Sequence, residues 1–144
     1  MVEATTTALS APASVIDVLI VDDEPVIRDS LGLALGHAGL RVRTAATVSE
    51  AFALLEAHPV RLLVTDICMP EVSGLDLIVA MSTTWPDTPV LTISGGGALG
   101  GAEQIFEVAQ PLGSCRMLAK PFSLRAFMDL VGELLSKSPV PQQA

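Results

Sequence analysis

Basic residues are scarce in this sequence. Eight Lys and Arg stand against 16 Asp and Glu, a formal charge of -8 with a pI near 4.5. Nucleic acid and anionic membrane both need a basic face, so neither is expected as a partner. The balance suits a chain that holds a cation or meets a basic protein surface. Cysteine is scarce as well. Cys68 and Cys115 lie 47 positions apart and form no CxxC pair. They lack the spacing of a disulfide framework or a zinc site, so the expected compartment is a reducing cytoplasm. No apolar run approaches the roughly 18 residues of a membrane helix. Residues 1–14 contain no Lys or Arg and no apolar segment, so they do not read as a secretory signal. No internal repeat is visible.

What the sequence does have is apolar mass. Half of its 144 residues are hydrophobic, and mean hydropathy is +0.56, enough for one domain with a buried core. Residues 1–14 and 137–144 read as tails, leaving 15–136 as the compact unit. Within it, two kinds of segment alternate. Val15 to Val21 is a β-branched run that fits a buried strand, ended by Asp22-Asp23-Glu24-Pro25. Ile27, Leu31, Ala34, Leu35 and Ala38 follow helical spacing, and Gly39 stops the helix. Leu40 to Thr44 predicts a second strand. Val48, Ala51, Phe52 and Leu55 predict a second helix, closed by His58-Pro59. Leu62 to Thr65 is strand-like and ends at Asp66. Leu75, Ile78, Val79 and Ser82 predict the inner face of a third helix. Val90 to Ile93 is a strand ending at Ser94, and a weaker helix is expected over 98–109. Cys115 to Leu118 predicts the last strand, ending at Lys120-Pro121. Ser123 caps a final helix that turns Leu124, Phe127, Met128, Val131 and Leu134 inward.

Strand followed by helix, five times over, predicts an α/β fold: a five-stranded parallel sheet, doubly wound, with helices on both faces. In such sheets the working groups lie just past the carboxyl ends of the strands. There the sequence places Asp22 and Asp23, Asp66, Ser94 and Lys120. Taken singly, each has a plainer reading: helix caps for Asp22 and Asp23, an Asx turn for Asp66, a helix-opening serine, a surface lysine. Taken together, three carboxylates on one edge repel one another unless a cation joins them or one is protonated. All-oxygen ligands suit Mg²⁺. An aspartate can act as a nucleophile that forms an acyl phosphate. Lysine and a hydroxyl can then bind the phosphoryl oxygens.

Val21-Asp22-Asp23-Glu24, Asp66-Ile67-Cys68-Met69-Pro70 with Gly74, then Ser94, then Lys120-Pro121, resemble the receiver domain of two-component response regulators. The resemblance covers about 15 to 136 and implies a flavodoxin-like (βα)5 fold of the stand-alone type. It implies Asp66 as phosphoacceptor. It implies Asp22, Asp23, Asp66 and the backbone carbonyl of Cys68 as the Mg²⁺ site. Ser94 and Lys120 become ligands of the phosphoryl group. The implied donor is a phosphohistidine on a sensor histidine kinase or a histidine phosphotransfer protein. The implied output is contact with a downstream protein target, through the face of the fourth and fifth helices and the strand between them, by a monomer or weak homodimer. Too few residues follow the last helix for a DNA-binding module, so no nucleic acid contact is expected of the chain as given, and no membrane contact is expected either; the Pro-bearing tail reads equally as a linker from which an output domain was cut.

Three departures from the family pattern qualify the reading. Met117 stands where the family usually has Tyr or Phe, the aromatic of its conformational switch. Gly95 stands where Ala is common, inside a run of glycines. Cys68 and Gly96, at positions that influence loss of the phosphoryl group in the family, are small, which predicts a short-lived phosphorylated state. The alternative is a pseudo-receiver, an interaction module independent of phosphate. A Mg²⁺-dependent phosphohydrolase is disfavoured, since no second acid stands two residues beyond Asp66. Gly95-x-Gly97-x-x-Gly100 matches the dinucleotide fingerprint only formally, since it follows the fourth strand and has no ribose-binding acid about 20 residues on.

Overall fold

The computed structural model describes residues 14–66, 74–94 and 115–137. Within them lie strands β1 (Val18–Val21), β2 (Val42–Ala45), β3 (Leu63–Asp66), β4 (Val90–Ser94) and β5 (Cys115–Ala119). The helices are α1 (Pro25–His37), α2 (Val48–Ala57), α3 (Gly74–Thr84) and α4 (Leu124–Lys137). The strands form one parallel sheet in the order β2-β1-β3-β4-β5. The chain therefore leaves β1 in one direction to build β2 and later crosses to its other side to build β3, the reversal of a doubly wound sheet.

Side-chain alternation along the strands divides the core in two. Leu19, Val21 and Leu63 face Val48, Ala51 and Leu55 of α2 and Leu77, Ile78 and Met81 of α3. Val18, Ile20, Val64, Leu91 and Ile93 face Leu31 and Leu35 of α1 and Phe127, Val131 and Leu134 of α4. The central strands β1 and β3 are buried on both faces, which is why β1 is apolar throughout and β3 carries its polar residues, Thr65 and Asp66, only at its carboxyl end.

Local chemistry sets the helix ends. Pro25 opens α1 at its first position. Gly39, at φ 89, closes it: Gly39 N–H donates to the Gly36 carbonyl at 3.0 Å and Leu40 N–H to the Leu35 carbonyl at 3.2 Å. Thr47 caps α2, its hydroxyl accepting the Glu50 N–H at 3.1 Å. Ser123 caps α4 in the same way, accepting the Ala126 N–H at 3.0 Å.

Several expected boundaries shift, each for a physical reason. The first strand begins at Val18 rather than Val15, because Asp17 and Val18 both donate to the Arg41 carbonyl (2.8 and 3.2 Å), which interrupts the ladder. Ile16 keeps only an isolated bridge to Val60. The second strand begins at Val42 because Leu40 completes the end of α1. The inner face of α3 is Leu77, Ile78 and Met81, while Val79 is 46% exposed. Its sequence, GLDLIVAM, is apolar on nearly every side, so periodicity alone did not choose a face. Leu124, in the first turn of α4, is also exposed. The helix expected over 98–109 lies outside the described residues.

Candidate functional site

Parallel pairing aligns the carboxyl ends of the strands. Val21 pairs with Thr65, so Asp22 and Asp66 follow at the same level on neighbouring strands. Asp66 pairs with Ile93, and Ser94 with Ala119, so Lys120 leaves β5 at that same edge. This edge straddles β1 and β3, where the sheet reverses its winding.

Carboxylate oxygens of Asp22, Asp23 and Asp66 lie within 4.8 Å of one another. Asp22 and Asp66 are buried and Asp23 is exposed. The Lys120 ammonium reaches Asp66 Oδ2 at 3.4 Å and Glu24 Oε1 at 3.1 Å. The backbone around Asp22 is held tightly. Its Oδ1 accepts the Glu24 N–H at 2.8 Å, and its carbonyl accepts the Arg28 guanidinium at 2.8 Å. Its other carboxylate oxygen, Oδ2, is buried with no hydrogen-bond partner among the described residues.

Electrostatics follow from this packing. Burial pushes the Asp22 carboxyl above the usual carboxylate range, and the charge of Asp66 adds to the push. Burial alone would lower the Lys120 ammonium. The hydrogen bond that Lys120 donates to Glu24 and the charges of Asp66 and Asp22 outweigh it, and Lys120 is held above its ordinary value. Three carboxylates thus share one ammonium with a fourth, Glu24. The surplus is negative, the donors are all oxygen, and one buried oxygen lacks a partner. That donor set fits a hard divalent cation such as Mg²⁺.

Of the residues that the sequence singles out, the structure brings Asp22, Asp23, Asp66 and Lys120 together. Ser94 ends β4 on the same edge, but its side chain lies outside the described residues, as do Cys68 and Gly95–Gly97. Met117 lies in β5, opposite Thr92 in the register, and is half-buried. Sequence reasoning placed Glu24 within the Val21-Asp22-Asp23-Glu24 motif but assigned no role to its side chain, and it gave no part to Arg28. Glu24 was legible as the residue between the acid pair and a helix-opening proline. Arg28 carries no signal in the sequence, since an arginine one turn into a helix is usually a solvent-facing group.

Comparison with known proteins agrees with this geometry. Residues 18–132 match the model of the response regulator receiver domain. The response regulator protein PilR of Pseudomonas aeruginosa is 39% identical over 127 residues, covering 88% of this chain and 28% of that protein. The DNA-binding transcriptional regulator NtrC of Rhizobium meliloti is 31% identical over 120 residues, 83% of this chain and 24% of that protein. The chain thus spans about a quarter of the length of these relatives. Among solved structures, the receiver domain of NtrX from Brucella abortus superposes with a TM-score of 0.75 at 30% identity, covering 85% of this chain and all of that one (100%). A CheY-like receiver domain protein from Methanospirillum hungatei gives a TM-score of 0.75 at 27% identity, over 86% of this chain and 96% of that one. Among the described residues no helix is long and apolar enough to cross a membrane. The fold, the aligned acids and lysine at one sheet edge, and these matches together place the chain in the response regulator receiver domain family.

Proposed function

We propose that residues 15–136 form a receiver that takes a phosphoryl group onto Asp66 from a phosphohistidine of a sensor kinase or phosphotransfer protein. Receiver domains are signalling phosphoacceptors and bind Mg²⁺ at an acidic pocket. In this chain Asp22, Asp23 and Asp66, with the backbone carbonyl of Cys68, would hold the ion. When bound, Mg²⁺ neutralises charge on the phosphoryl oxygens.

The chain's own residues supply the rest. A carboxylate oxygen of Asp66 attacks phosphorus and forms the new O–P bond. The P–N bond of the donor breaks, and the leaving imidazole nitrogen keeps the electron pair. Lys120, 3.4 Å from Asp66, places its ammonium against a phosphoryl oxygen. Ser94 donates its hydroxyl to another. The ends of β3 and β5 hold Asp66 and Lys120 against each other, so little ordering of that pair is left to do in the reaction. The output is contact with a downstream protein target, in the cytoplasm, by a monomer or weak homodimer.

The observation that carries this reading is the buried Asp66 carboxylate between the acid pair and the Lys120 ammonium. Intact mass after incubation with Mg²⁺ and acetyl phosphate tests it. The wild type should gain one phosphoryl group only with Mg²⁺, and Asp66→Ala should gain none. A wild type whose mass does not change with acetyl phosphate or with a phosphohistidine donor would leave the chain as a phosphate-independent interaction module.

A further inference from the structure

Among the described residues, the nearest carboxylate to the Lys120 ammonium is not the acceptor aspartate. Glu24 Oε1 lies at 3.1 Å, Asp66 Oδ2 at 3.4 Å. Glu24 reaches the lysine across 96 positions of sequence because its backbone is fixed on both sides. Its N–H donates to Asp22 Oδ1 at 2.8 Å, and its carbonyl accepts the Arg28 N–H at 3.0 Å to begin α1. It occupies the N-cap of that helix, yet its side chain caps nothing. A residue at this place ordinarily spends its side chain on the first helical N–H groups. Glu24 spends it on Lys120.

Stability does not explain the contact. The Glu24 side chain is 58% exposed, and an ion pair on such a rim contributes little to folding. Its effect is on where the lysine charge resides. While Glu24 shares the ammonium, Asp66 and any oxygens joined to it receive only part of that charge. The Glu24 carboxylate also adds a fourth negative charge beside Asp22, Asp23 and Asp66. That charge attracts a cation and repels an incoming phosphoryl anion.

We propose that Glu24 is a positioning residue that holds Lys120 in reserve, tightening Mg²⁺ binding while slowing phosphoryl uptake by Asp66. The inference rests on the proposed phosphoacceptor role of Asp66. It goes beyond that role by giving one rim carboxylate two opposed effects, which a residue serving only the fold would not have.

The test uses the full chain, acetyl phosphate as donor and Mg²⁺ as the ion. In the measured step Asp66 forms an O–P bond and acetate leaves with the electrons of the broken one. Glu24→Gln keeps the shape and removes the charge. At saturating Mg²⁺ its rate constant for phosphoryl uptake, followed by intact mass, should rise about three- to tenfold. Its Kd for Mg²⁺, measured by calorimetry without phosphoryl donor, should rise at least about twofold. Glu24→Asp retains the charge but is one methylene short of the lysine. It should restore the Mg²⁺ affinity and keep part of the gain in rate. If Glu24→Gln matches the wild type in both quantities, or loses rate and affinity together, the proposal is overturned while the acceptor role stands. A wild type that takes no phosphoryl group onto Asp66 overturns both.

Discussion

Asp17 and Arg41 are joined at the end of the sheet opposite the acid cluster. Asp17 Oδ2 accepts both the Arg41 backbone N–H at 2.8 Å and its guanidinium at 3.1 Å. Arg61 donates to the same carboxylate at 3.2 Å and also to the Leu135 carbonyl near the end of α4 at 3.2 Å. One buried aspartate thus ties the starts of β1, β2 and β3 together, and Arg61 links them to the last helix. Burial alone would raise the Asp17 carboxyl. The hydrogen bonds from Arg41 and Arg61 and the charge of Arg41 outweigh it, so the carboxyl is held below its ordinary value of 3.8.

The sign of the pH dependence follows. The folded pKa is depressed, so the unfolded chain takes up the proton first as pH falls. The stabilisation is complete above the unfolded value of 3.8 and is lost as pH falls towards the folded one. Asp17→Asn should lower stability at pH 7 by about 1–3 kcal/mol, since it leaves arginine donors facing a weaker acceptor. It should also flatten the fall of Tm below pH 4 relative to the wild type. Thermal melts from pH 7 to pH 3 check this. An unchanged acid slope in the variant would show that other carboxylates set it.

At the other end of the sheet the sign reverses. Asp22 is buried, pushed up by burial and by Asp66, and keeps one oxygen without a partner. A carboxyl whose folded pKa is raised favours the folded state when protonated, and this contribution is lost as pH rises past the unfolded value towards the folded one. At neutral pH without cation, Asp22 therefore destabilises the fold. Asp22→Asn should raise the stability of the metal-free protein by about 1–2 kcal/mol, with the Asn N–H₂ or carbonyl replacing a buried charge. The same change should abolish most of the Tm gain that Mg²⁺ gives the wild type. Melts with and without Mg²⁺ measure both effects, and a loss of stability in the metal-free variant would contradict the argument.

This contrast marks what the sequence could reveal. The acids and lysine of the site were legible because each stands at the end of an apolar run, and parallel strands must align such ends. The two-faced core was legible in Val18 to Val21 and Leu62 to Val64, whose consecutive apolar residues require cover on both sides. The Asp17 cluster was not legible, since one aspartate within the run Val15 to Val21 looks like part of a strand. Only the tertiary meeting with Arg41 and Arg61, 24 and 44 positions away, makes it a junction. The inner face of α3 was hidden for the opposite reason. With apolar residues on all sides, its choice of Leu77 and Met81 over Val79 is made by the sheet against which it packs.

Lys120 offers the sharpest separation between binding a cation and accepting a phosphoryl group. Its ammonium faces Asp66 and Glu24 beside the acid cluster, and the hydrogen bond to Glu24 with the charges of Asp66 and Asp22 outweighs burial and holds it above its ordinary value. A cation arriving among those carboxylates meets an ammonium already in place. Removing it relieves a like-charge repulsion, so Lys120→Met should bind Mg²⁺ more tightly, by about two- to tenfold. The transferred group needs the opposite. Its oxygens carry negative charge through the reaction, and a lysine within hydrogen-bond reach stabilises that charge where water is displaced. Without it, phosphoryl uptake from acetyl phosphate at saturating Mg²⁺ should fall by about 10²-fold. Calorimetry gives the first quantity and intact mass against time the second. If affinity and rate moved in the same direction, Lys120 would be acting on the fold of the site rather than on the transferred group. Melts of the variant bear on that distinction directly: Lys120 is 20% exposed and its partner Asp66 is buried, so its loss should lower Tm in the metal-free protein and Mg²⁺ should recover part of it.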